Sequence, residues 1–280
     1  MGTPLVNDGL ATPEVGAWAE EKYRLLQGYA RVFATSMKNK WKRVYVDLFA
    51  GSGRSRIKNT GRIVLASPLL ALEIPDRFDR YIFCEKADDK IDALRKRVAS
   101  NHSDTDVRFV HGDANQLVDD ILAEFPPHSG TSKVLAFCFA GPYSLDNLKF
   151  STIERMSSRF VDFLILIPTD MDANRNMHRY SAPDNKTLDD FFGTSEWRQE
   201  WKNAELRGEP PWMLVTSFYS ERMRCLKYLD HAAEQAQLIR SDEKNLPLYR
   251  LAFFSRHKLG ERFWKQVKKY ACPQTSIDFG

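Results

Sequence analysis

An apolar run that ends in an aspartate and two closely spaced glycines is the most informative pattern in this sequence. Residues 44–56 read VYVDLFAGSGRSR, with Asp47, Gly51 and Gly53 at the end of the run. Glycines in such a turn let a ligand approach the backbone after a strand. The third glycine of the dinucleotide-binding fingerprint is absent, so the pair by itself is weak evidence. The pattern predicts a ligand-binding turn but leaves the ligand open.

Carboxylates follow two further strand-like runs. Glu85 ends the second run in FCEK, and Asp113 follows the third in HGDAN. Glu85 can accept hydrogen bonds from ribose hydroxyls, Asp113 can contact an adenine amino group, and the carboxyl ends of parallel strands meet at one crevice. Each acid alone is equally well explained as a cap or turn residue, but together they predict an adenosine-type cofactor. Asp47 and Glu85 are 38 residues apart, more than the roughly 20 of NAD-binding units, which favours S-adenosylmethionine over NAD.

The elements that must position these residues alternate between strands and helices. Runs with apolar centres predict strands at 43–49, 80–86, 106–114, 134–143, 161–168 and 247–255. Apolar residues three and four apart predict helices between them, with start signals such as Ser67 as an N-cap and Pro68 at the first helical position. These helices are expected at 13–37, 67–74, 88–100, 115–125, 151–160, 217–237 and 261–271. The fold class is therefore α/β: a Rossmann-like, mostly parallel sheet with helices on both faces.

The pattern changes after Pro168. Residues 170–246 are polar and rich in tryptophan, and they predict a helical insertion before the last strands, which we expect to form a substrate or partner lobe. Trp197, Trp201 and Trp212 could stack on a planar substrate, or they could be the core of that lobe. We expect one domain over 1–280.

Composition limits the class of protein. The chain has 280 residues, of which 43% are hydrophobic, and no apolar run approaches the roughly 20 residues that span a bilayer. Four scattered cysteines without a CxxC pair argue against a metal site and favour a reduced, cytoplasmic protein. The formal net charge is +4, and basic runs at 38–43 and 256–269 are either solvated faces or a surface for a polyanion.

The order of several motifs resembles the three-Cys-motif partner (TcmP) family, which is similar to class I S-adenosylmethionine-dependent methyltransferases. The resemblance covers roughly residues 15–279, and its more specific motifs are LDDFFG and LYRLAFFSRHKLG. The other matching motifs are VGAWAEEKYRLLQGYARVF, YVDLFAGSGR, SPLLAL, FCEK, HGDAN, VDFLILIP, RN, Trp197 and the run PLYRLAFFSRHKLGERFW that encloses the second specific motif. Some members of the family carry a C-terminal winged-helix extension, which we do not expect in this chain.

The resemblance implies a binding site for S-adenosylmethionine. It places Asp47, Gly51 and Gly53 at the methionine and ribose end, Glu85 at the ribose and Asp113 near adenine. The predicted cofactor-binding set adds their neighbours and comprises Asp47, Phe49, Ala50, Gly51, Gly53, Glu85, Lys86, Gly112, Asp113 and Ala114. The family is named for a neighbouring protein with three cysteines, often radical-SAM-like, so a partner of that kind is expected.

The fourth strand ends in a departure from the family pattern. The family has Asp-Pro-Tyr-Gly there, similar to the Asp-Pro-Pro-Tyr type of amino-methyltransferases, in which the acid accepts a hydrogen bond from the target amine. This chain has Gly141, followed by the predicted catalytic residues Pro142, Tyr143 and Ser144. Three explanations stay open: the acid is lost and the chain only binds, Ser144 or an acid such as Asp146 or Asp170 replaces it, or alignment alone suffices.

Arg175 and Asn176 recur in the family after the fifth strand. They are either substrate residues at the rim of the crevice or a pair that stabilises a loop. The sequence thus predicts a TcmP-type methyltransferase acting on a nucleic acid or nucleotide-like acceptor. The alternative is a catalytically weakened, cofactor-binding subunit that works with a partner protein.

Overall fold

The computed structural model describes residues 5–229, 235–241 and 244–271. Its strands are β1 (Glu14–Val15), β2 (Lys42–Asp47), β3 (Arg54–Ile57), β4 (Ile63–Leu65), β5 (Arg80–Glu85), β6 (Val107–His111), β7 (Val134–Ala140), β8 (Val161–Ile167), β9 (Gln237–Arg240) and β10 (Pro247–Phe254). Its α-helices are α1 (Ala19–Met37), α2 (Ser67–Leu72), α3 (Asp88–Asn101), α4 (Val118–Ala123), α5 (Phe150–Met156), α6 (Asn174–Tyr180), α7 (Thr187–Phe192), α8 (Trp197–Leu206), α9 (Pro211–Cys225) and α10 (Lys258–Ala271).

The main sheet of the described residues has seven strands in the order β6-β5-β2-β7-β8-β10-β9. The neighbours from β6 to β8 are parallel, whereas β10 runs antiparallel to both β8 and β9. Every residue of β8 is buried, as expected for a strand that is covered on both faces. The order reverses between β2 and β7, and open α/β sheets bind ligands at such a switch point.

Helices cover both faces of this sheet. On one face α1, α2, α3 and α10 pack around the buried rings of Tyr29, Phe33 and Phe137. On the other face α4, α5 and the helices α6 to α9 pack around Phe150, Phe163 and similar side chains. Burying an apolar side chain of this size contributes about 1.5–3 kcal/mol, so the two cores hold the strand ends in place.

A smaller sheet that the sequence patterns did not predict lies beside the main one. Its described strands have the order β1-β3-β4, with β1 parallel to β3 and β3 antiparallel to β4. The hairpin β3-β4 therefore follows the glycine turn, and the next helix begins only at Ser67. The predicted helix over 13–37 begins at Ala19 instead, because its first residues form β1.

Several helix boundaries differ from the sequence prediction. Ser67 is the first residue of α2 and Ala66 is its N-cap. The helix predicted over 217–237 begins earlier, at Pro211, and ends at Cys225, where Lys227 takes a positive φ of 67°. Part of that predicted helix, residues 230–234, lies outside the described residues, as do Cys272 and the tail QTSIDF.

The segment 170–246 contains α6 to α9 and, near its end, the sheet strand β9. Trp197 is fully buried in it, as the core interpretation expects. None of the described helices is long and apolar enough to cross a membrane.

Candidate cofactor-binding site

A cleft of about 530 Å³ opens at the carboxyl ends of β2, β5, β6 and β7. Parallel strands deliver the turns that follow them to one edge of the sheet, so residues far apart in sequence meet there. The predicted site residues that line the cleft are Phe49, Ala50, Gly51, Glu85, Lys86, Gly112, Asp113, Ala114, Pro142 and Tyr143.

Gly51 forms the floor of the cleft with bare backbone. Its φ is +63°, which disfavours other residues, and a Cβ added there would meet no atom within 4 Å. Its amide donates a hydrogen bond of 2.8 Å to Oε2 of Glu85. The turn after β2 is thereby fixed to the end of β5 while leaving open space for a ligand.

Glu85 is nearly buried, with 8% of its surface exposed, and it still lines the cleft. Its Oε1 accepts a hydrogen bond from the amide of Ala87 at 3.0 Å, and Oε2 accepts the one from Gly51. A carboxylate has about four lone-pair sites, so two backbone donors orient it and leave acceptor capacity for hydroxyl groups. A carboxylate at this position can accept hydrogen bonds from the hydroxyl groups of a ribose.

Asp113 is held by its own loop. Its Oδ1 accepts hydrogen bonds from the backbone amide and the side-chain amide of Asn115, at 2.8 and 2.9 Å. The Asn115 amide also donates to the carbonyl of Asn147, a residue that lines the cleft after β7. The loops after β6 and β7 are therefore joined, and Asp113 is positioned beside both.

Asp47 does not line the cleft, because its side chain is completely buried beneath the turn. It accepts hydrogen bonds from the amide of Phe49 at 3.2 Å and the hydroxyl of Tyr45 at 3.3 Å. Burial raises the pKa of Asp47 to about 6, and hydrogen bonds from Ser67, Phe49 and Tyr45 oppose that shift. The carboxyl group supports the glycine turn from below.

Gly53 is not on the cleft lining either. Its φ is +82°, and a Cβ there would lie 2.8 Å from Leu69 Cγ and 2.8 Å from Leu94 Cδ1. Real Cβ atoms do not approach other heavy atoms so closely. Gly53 is thus required where α2 and α3 pack against the turn.

The turn after β7 presents backbone and one exposed ring. Gly141 and Pro142 line the cleft, and Tyr143 lies at its lip with 80% of its surface exposed. Ser144 does not reach the lining, because it caps a short 3₁₀ helix: its hydroxyl donates to Asp146 Oδ1 and its amide donates to Asn147 Oδ1 at 3.2 Å.

Three side chains were considered as substitutes for an acid at position 141: Ser144, Asp146 and Asp170. Among the described residues that line the cleft, none of the three is present. Ser144 and Asp146 bond to each other. Asp170 accepts a hydrogen bond from Arg250 Nη1 at 2.7 Å and another from Asn174 Nδ2 at 2.9 Å. These groups are engaged in local structure.

Arg175 and Asn176 lie away from the lining. Arg175 is exposed, and Asn176 donates its side-chain amide to Asp172 Oδ1 at 2.8 Å. Asp172 in turn accepts from the amide of Leu145 at 2.8 Å. Asn176 therefore stabilises the loop beyond Tyr143, which agrees with the loop-stabilising alternative.

Helix α1 and strand β10 add cleft residues that the motif analysis missed. They include Trp18, Lys22 and Tyr23 from α1 and its start, and Tyr249 from β10. The rings of Trp18 and Tyr249 have centroids 4.7 Å apart. The periodic aromatic residues of α1 were the available signal, but periodicity alone assigns them to a core.

The cleft is bordered by more basic than acidic side chains. Lys22, Arg54, Lys58, Lys86 and Lys90 line it, against three acids, Glu14, Glu85 and Asp113. Arg54 pairs with Asp8 at 3.0 Å. Among the described residues, the four lysines have no carboxylate within ion-pair distance. In the same part of the chain no group of three His, Cys, Asp or Glu side chains is arranged to hold a metal ion.

No family model and no curated protein matches this chain, but solved structures resemble it. The protein LPL1258 from Legionella pneumophila has a TM-score of 0.49 at 12% identity, covering 92% of this chain and 95% of that one. TYW2 of M. jannaschii, in complex with AdoMet, has a TM-score of 0.42 at 12% identity, covering 87% and 78%. The MTase domain of METTL16 has a TM-score of 0.37 at 12% identity, covering 83% and 82%.

Because each TM-score is below 0.5, the fold assignment rests on the order and direction of the strands. Five parallel strands, a switch point between β2 and β7, and an antiparallel β10 inserted before β9 define the Rossmann-like class I methyltransferase fold. The predicted fold class is confirmed. The TcmP family itself stays a prediction.

Proposed function

We propose that this protein is an S-adenosylmethionine-dependent methyltransferase of the TcmP type that acts on a nucleic acid or nucleotide-like acceptor. The observation that carries the proposal is the cleft in which Gly51, Glu85 and Asp113 converge at the carboxyl ends of consecutive strands. The strand topology makes this the expected ligand site of the sheet.

The residues present fit an adenosine-containing cofactor. Glu85 has acceptor capacity for the ribose hydroxyls, Asp113 lies one strand further for the adenine amino group, and Gly51 offers open space against bare backbone. When bound, the cofactor supplies an electrophilic methyl group on a sulfonium. The polypeptide binds and orients it and excludes water.

In this proposal alignment carries most of the rate enhancement. Trp18, Leu166, Met171 and Tyr249 border the cleft and limit access of water. Tyr143 provides an exposed ring at the lip, on which a planar acceptor can stack, and stacking on an aromatic side chain contributes about 1–3 kcal/mol per base. Holding the nucleophile, methyl group and sulfur in line is worth several orders of magnitude without a side-chain base.

The lysines around the cleft support an anionic acceptor. Lys58, Lys86 and Lys90 border the cleft and have no carboxylate partner among the described residues. Such a rim attracts phosphates, and binding through it weakens with salt. Glutamine at Lys58 and Lys90 should each reduce the slope of log affinity against log salt for an RNA oligonucleotide by about 1.

Two measurements test the function. Calorimetric titration with S-adenosylmethionine should show binding, and transfer of labelled methyl groups to DNA, RNA or cell extract should show turnover that Tyr143→Ala reduces. Absence of cofactor binding would end the proposal. Labelling that persists undiminished in Tyr143→Ala would remove the role given to that ring.

The second candidate is a catalytically weakened cofactor-binding subunit that works with a three-Cys-motif, radical-SAM-like partner protein. It is favoured by Gly141, because the proposed substitutes for the acid are engaged away from the cleft. Cofactor binding without turnover by the chain alone, and turnover on adding the partner, would support it. A gain of activity in Gly141→Asp would show that only the acid is missing.

A further inference from the structure

Lys22 is a cation at the cleft wall with aromatic surroundings. It extends from α1, and its ammonium lies 4.7 Å from the ring centroid of Tyr23, 5.6 Å from that of Trp18 and 5.9 Å from that of Phe139. Aromatic faces attract a cation by about 0.5–1 kcal/mol at exposed sites, so the rings fix the position of the ammonium.

Within the described part of the chain, Lys22 forms no direct ion pair. Among the described residues no carboxylate lies within 4.0 Å of its ammonium, and its hydrogen-bond donors have no acceptor there. The buried Asp47 lies near enough that the positive charge of Lys22 opposes the rise that burial causes in the pKa of Asp47. An ammonium with three donors, held in a cleft without an acceptor, is suited to bind an anionic group of a ligand.

The direction of the bound cofactor identifies that group. With ribose at Glu85, which ends β5, and adenine at Asp113, in the loop after β6, the cofactor lies to one side of β2. Its other end must then point toward β7, which is the opposite neighbour of β2 in the sheet. Phe139 belongs to β7, and its ring is one of the three around Lys22.

We propose that Lys22 binds the carboxylate of the amino-acid end of S-adenosylmethionine and selects for cofactors that carry it. The inference rests on the proposed function and adds a specificity residue that the glycine turn and strand-end acids do not supply. A phosphate of the acceptor offers a similar anion, and the experiment separates these two sources.

The test compares S-adenosylmethionine with its decarboxylated form by titration calorimetry, in the full chain and in Lys22→Met. The full chain should bind S-adenosylmethionine about tenfold to a hundredfold more tightly than the decarboxylated form, since a charge-assisted hydrogen bond has that effect. Lys22→Met should bind both equally, with affinity for the decarboxylated form not reduced. Methionine keeps the aliphatic stem that packs on the rings.

Two variants complete the design. Lys22→Arg should retain the preference, because it keeps a cation in place. Lys133→Met is the matched control: the Lys133 ammonium also lies over an aromatic ring, 5.9 Å from the Trp41 centroid, but Lys133 does not line the cleft, so the preference should be unchanged.

An unchanged preference in Lys22→Met would overturn the inference, and so would an equal loss of affinity for both compounds. Loss confined to an RNA oligonucleotide would assign Lys22 to an acceptor phosphate and overturn it as well. If the full chain binds neither compound, the proposed function fails together with the inference, whereas binding without a preference refutes the role of Lys22 alone.

Discussion

Gly141 stands where the TcmP family, which the sequence resembles, has an aspartate, and the nearby Phe139 occupies the adjacent space. A Cβ added at Gly141 would lie 3.0 Å from both Cε1 and Cζ of the Phe139 ring. The same ring borders the cleft and lies near Lys22. Glycine at 141 and phenylalanine at 139 are therefore complementary in shape.

Gly141→Ala should lower the free energy of unfolding by about 1–3 kcal/mol, because the Phe139 ring must shift to admit the methyl group. Adding Phe139→Leu should cost less in the alanine variant than in the original chain, since residues in contact do not act independently. Denaturant unfolding of the four proteins measures this coupling. Strictly additive effects would show that the ring does not restrict position 141.

Because the pKa of Asp47 is raised by burial, we expect the free energy of unfolding to depend on pH. The native Asp47 pKa of about 6, raised by burial, exceeds the ordinary aspartate pKa of 3.8. Between these values the native state binds more protons than the unfolded state, so the free energy of unfolding falls as pH rises. From pH 4 to pH 7 the original chain should lose about 2–3 kcal/mol relative to Asp47→Asn.

Asp162 also has a pKa raised to about 6 by burial, and it is present in both proteins. The difference between the two unfolding curves therefore isolates Asp47. A difference that does not change with pH would contradict the burial of an ionisable carboxyl beneath the turn.

At the scale of elements, the N-terminal arm, residues 7–16, forms part of the cleft wall and is fastened by Arg97 of α3. Arg97 is 2% exposed and binds both oxygens of Asp8, at 2.7 and 2.8 Å. It also donates to the carbonyl of Ser52 in the glycine turn at 2.6 Å. One buried guanidinium thus joins the arm, a helix and the turn.

Asp8→Asn should loosen the arm, because a bidentate charge-assisted pair is lost. Hydrogen exchange should become faster at the amides of Arg56 and Lys58, which donate to the arm carbonyls of Pro13 and Val15. Asp104→Asn is the control, since it removes an exposed pair with Arg77. Equal protection of these two amides from exchange in both variants would show that the Arg97–Asp8 pair does not hold the arm in place.

The Arg97–Asp8 pair also makes the stability of the arm depend on pH in the acidic range. The hydrogen bond from Arg97 lowers the pKa of Asp8 to about 2. A carboxyl whose pKa is lowered by folding stabilises the native state above its unfolded pKa, and this contribution disappears as pH falls through the native value. The arm should therefore stay protected at pH 5 and lose protection between about pH 4 and pH 2.

At the scale of the whole molecule, the cleft joins parts of the chain that are distant in sequence. The arm, α1, four strand ends and β10 all contribute to its lining. A ligand that binds only this assembled state must stabilise the fold by mass action.

S-adenosylhomocysteine at 100 times its dissociation constant should raise the free energy of unfolding by about 2.7 kcal/mol. Gly51→Leu should abolish the shift, because its side chain would enter the open space of the cleft. Gly61→Leu is a matched control: its φ is +67° and a Cβ there also meets nothing within 4 Å, but it does not line the cleft. Thermal unfolding with and without ligand measures both, and an equal ligand shift in the two variants would place the ligand elsewhere.

Much of this sheet could be predicted because its strands have a local signal. The runs that end at Asp47 and Glu85 are apolar over their central residues, and a strand buried on both faces needs such a run. The small sheet β1-β3-β4 was missed because short, partly polar strands such as RSRI have no comparable pattern. The helix predicted over 217–237 extended too far, because the helical spacing of apolar residues continues in the sequence after Cys225, where the helix ends in the structure.

The sequence by itself determined the order of strands and helices along the chain and the turns that hold Gly51, Glu85 and Asp113, because strand periodicity and turn residues act locally. Only the tertiary structure decided which side chains face the ligand. In the folded protein Asp47 is buried, Ser144 and Asn176 form hydrogen bonds within loops, and Lys22 and Tyr249 line the cleft. Those outcomes depend on packing between residues more than two hundred positions apart, such as Trp18 and Tyr249, which no local pattern encodes.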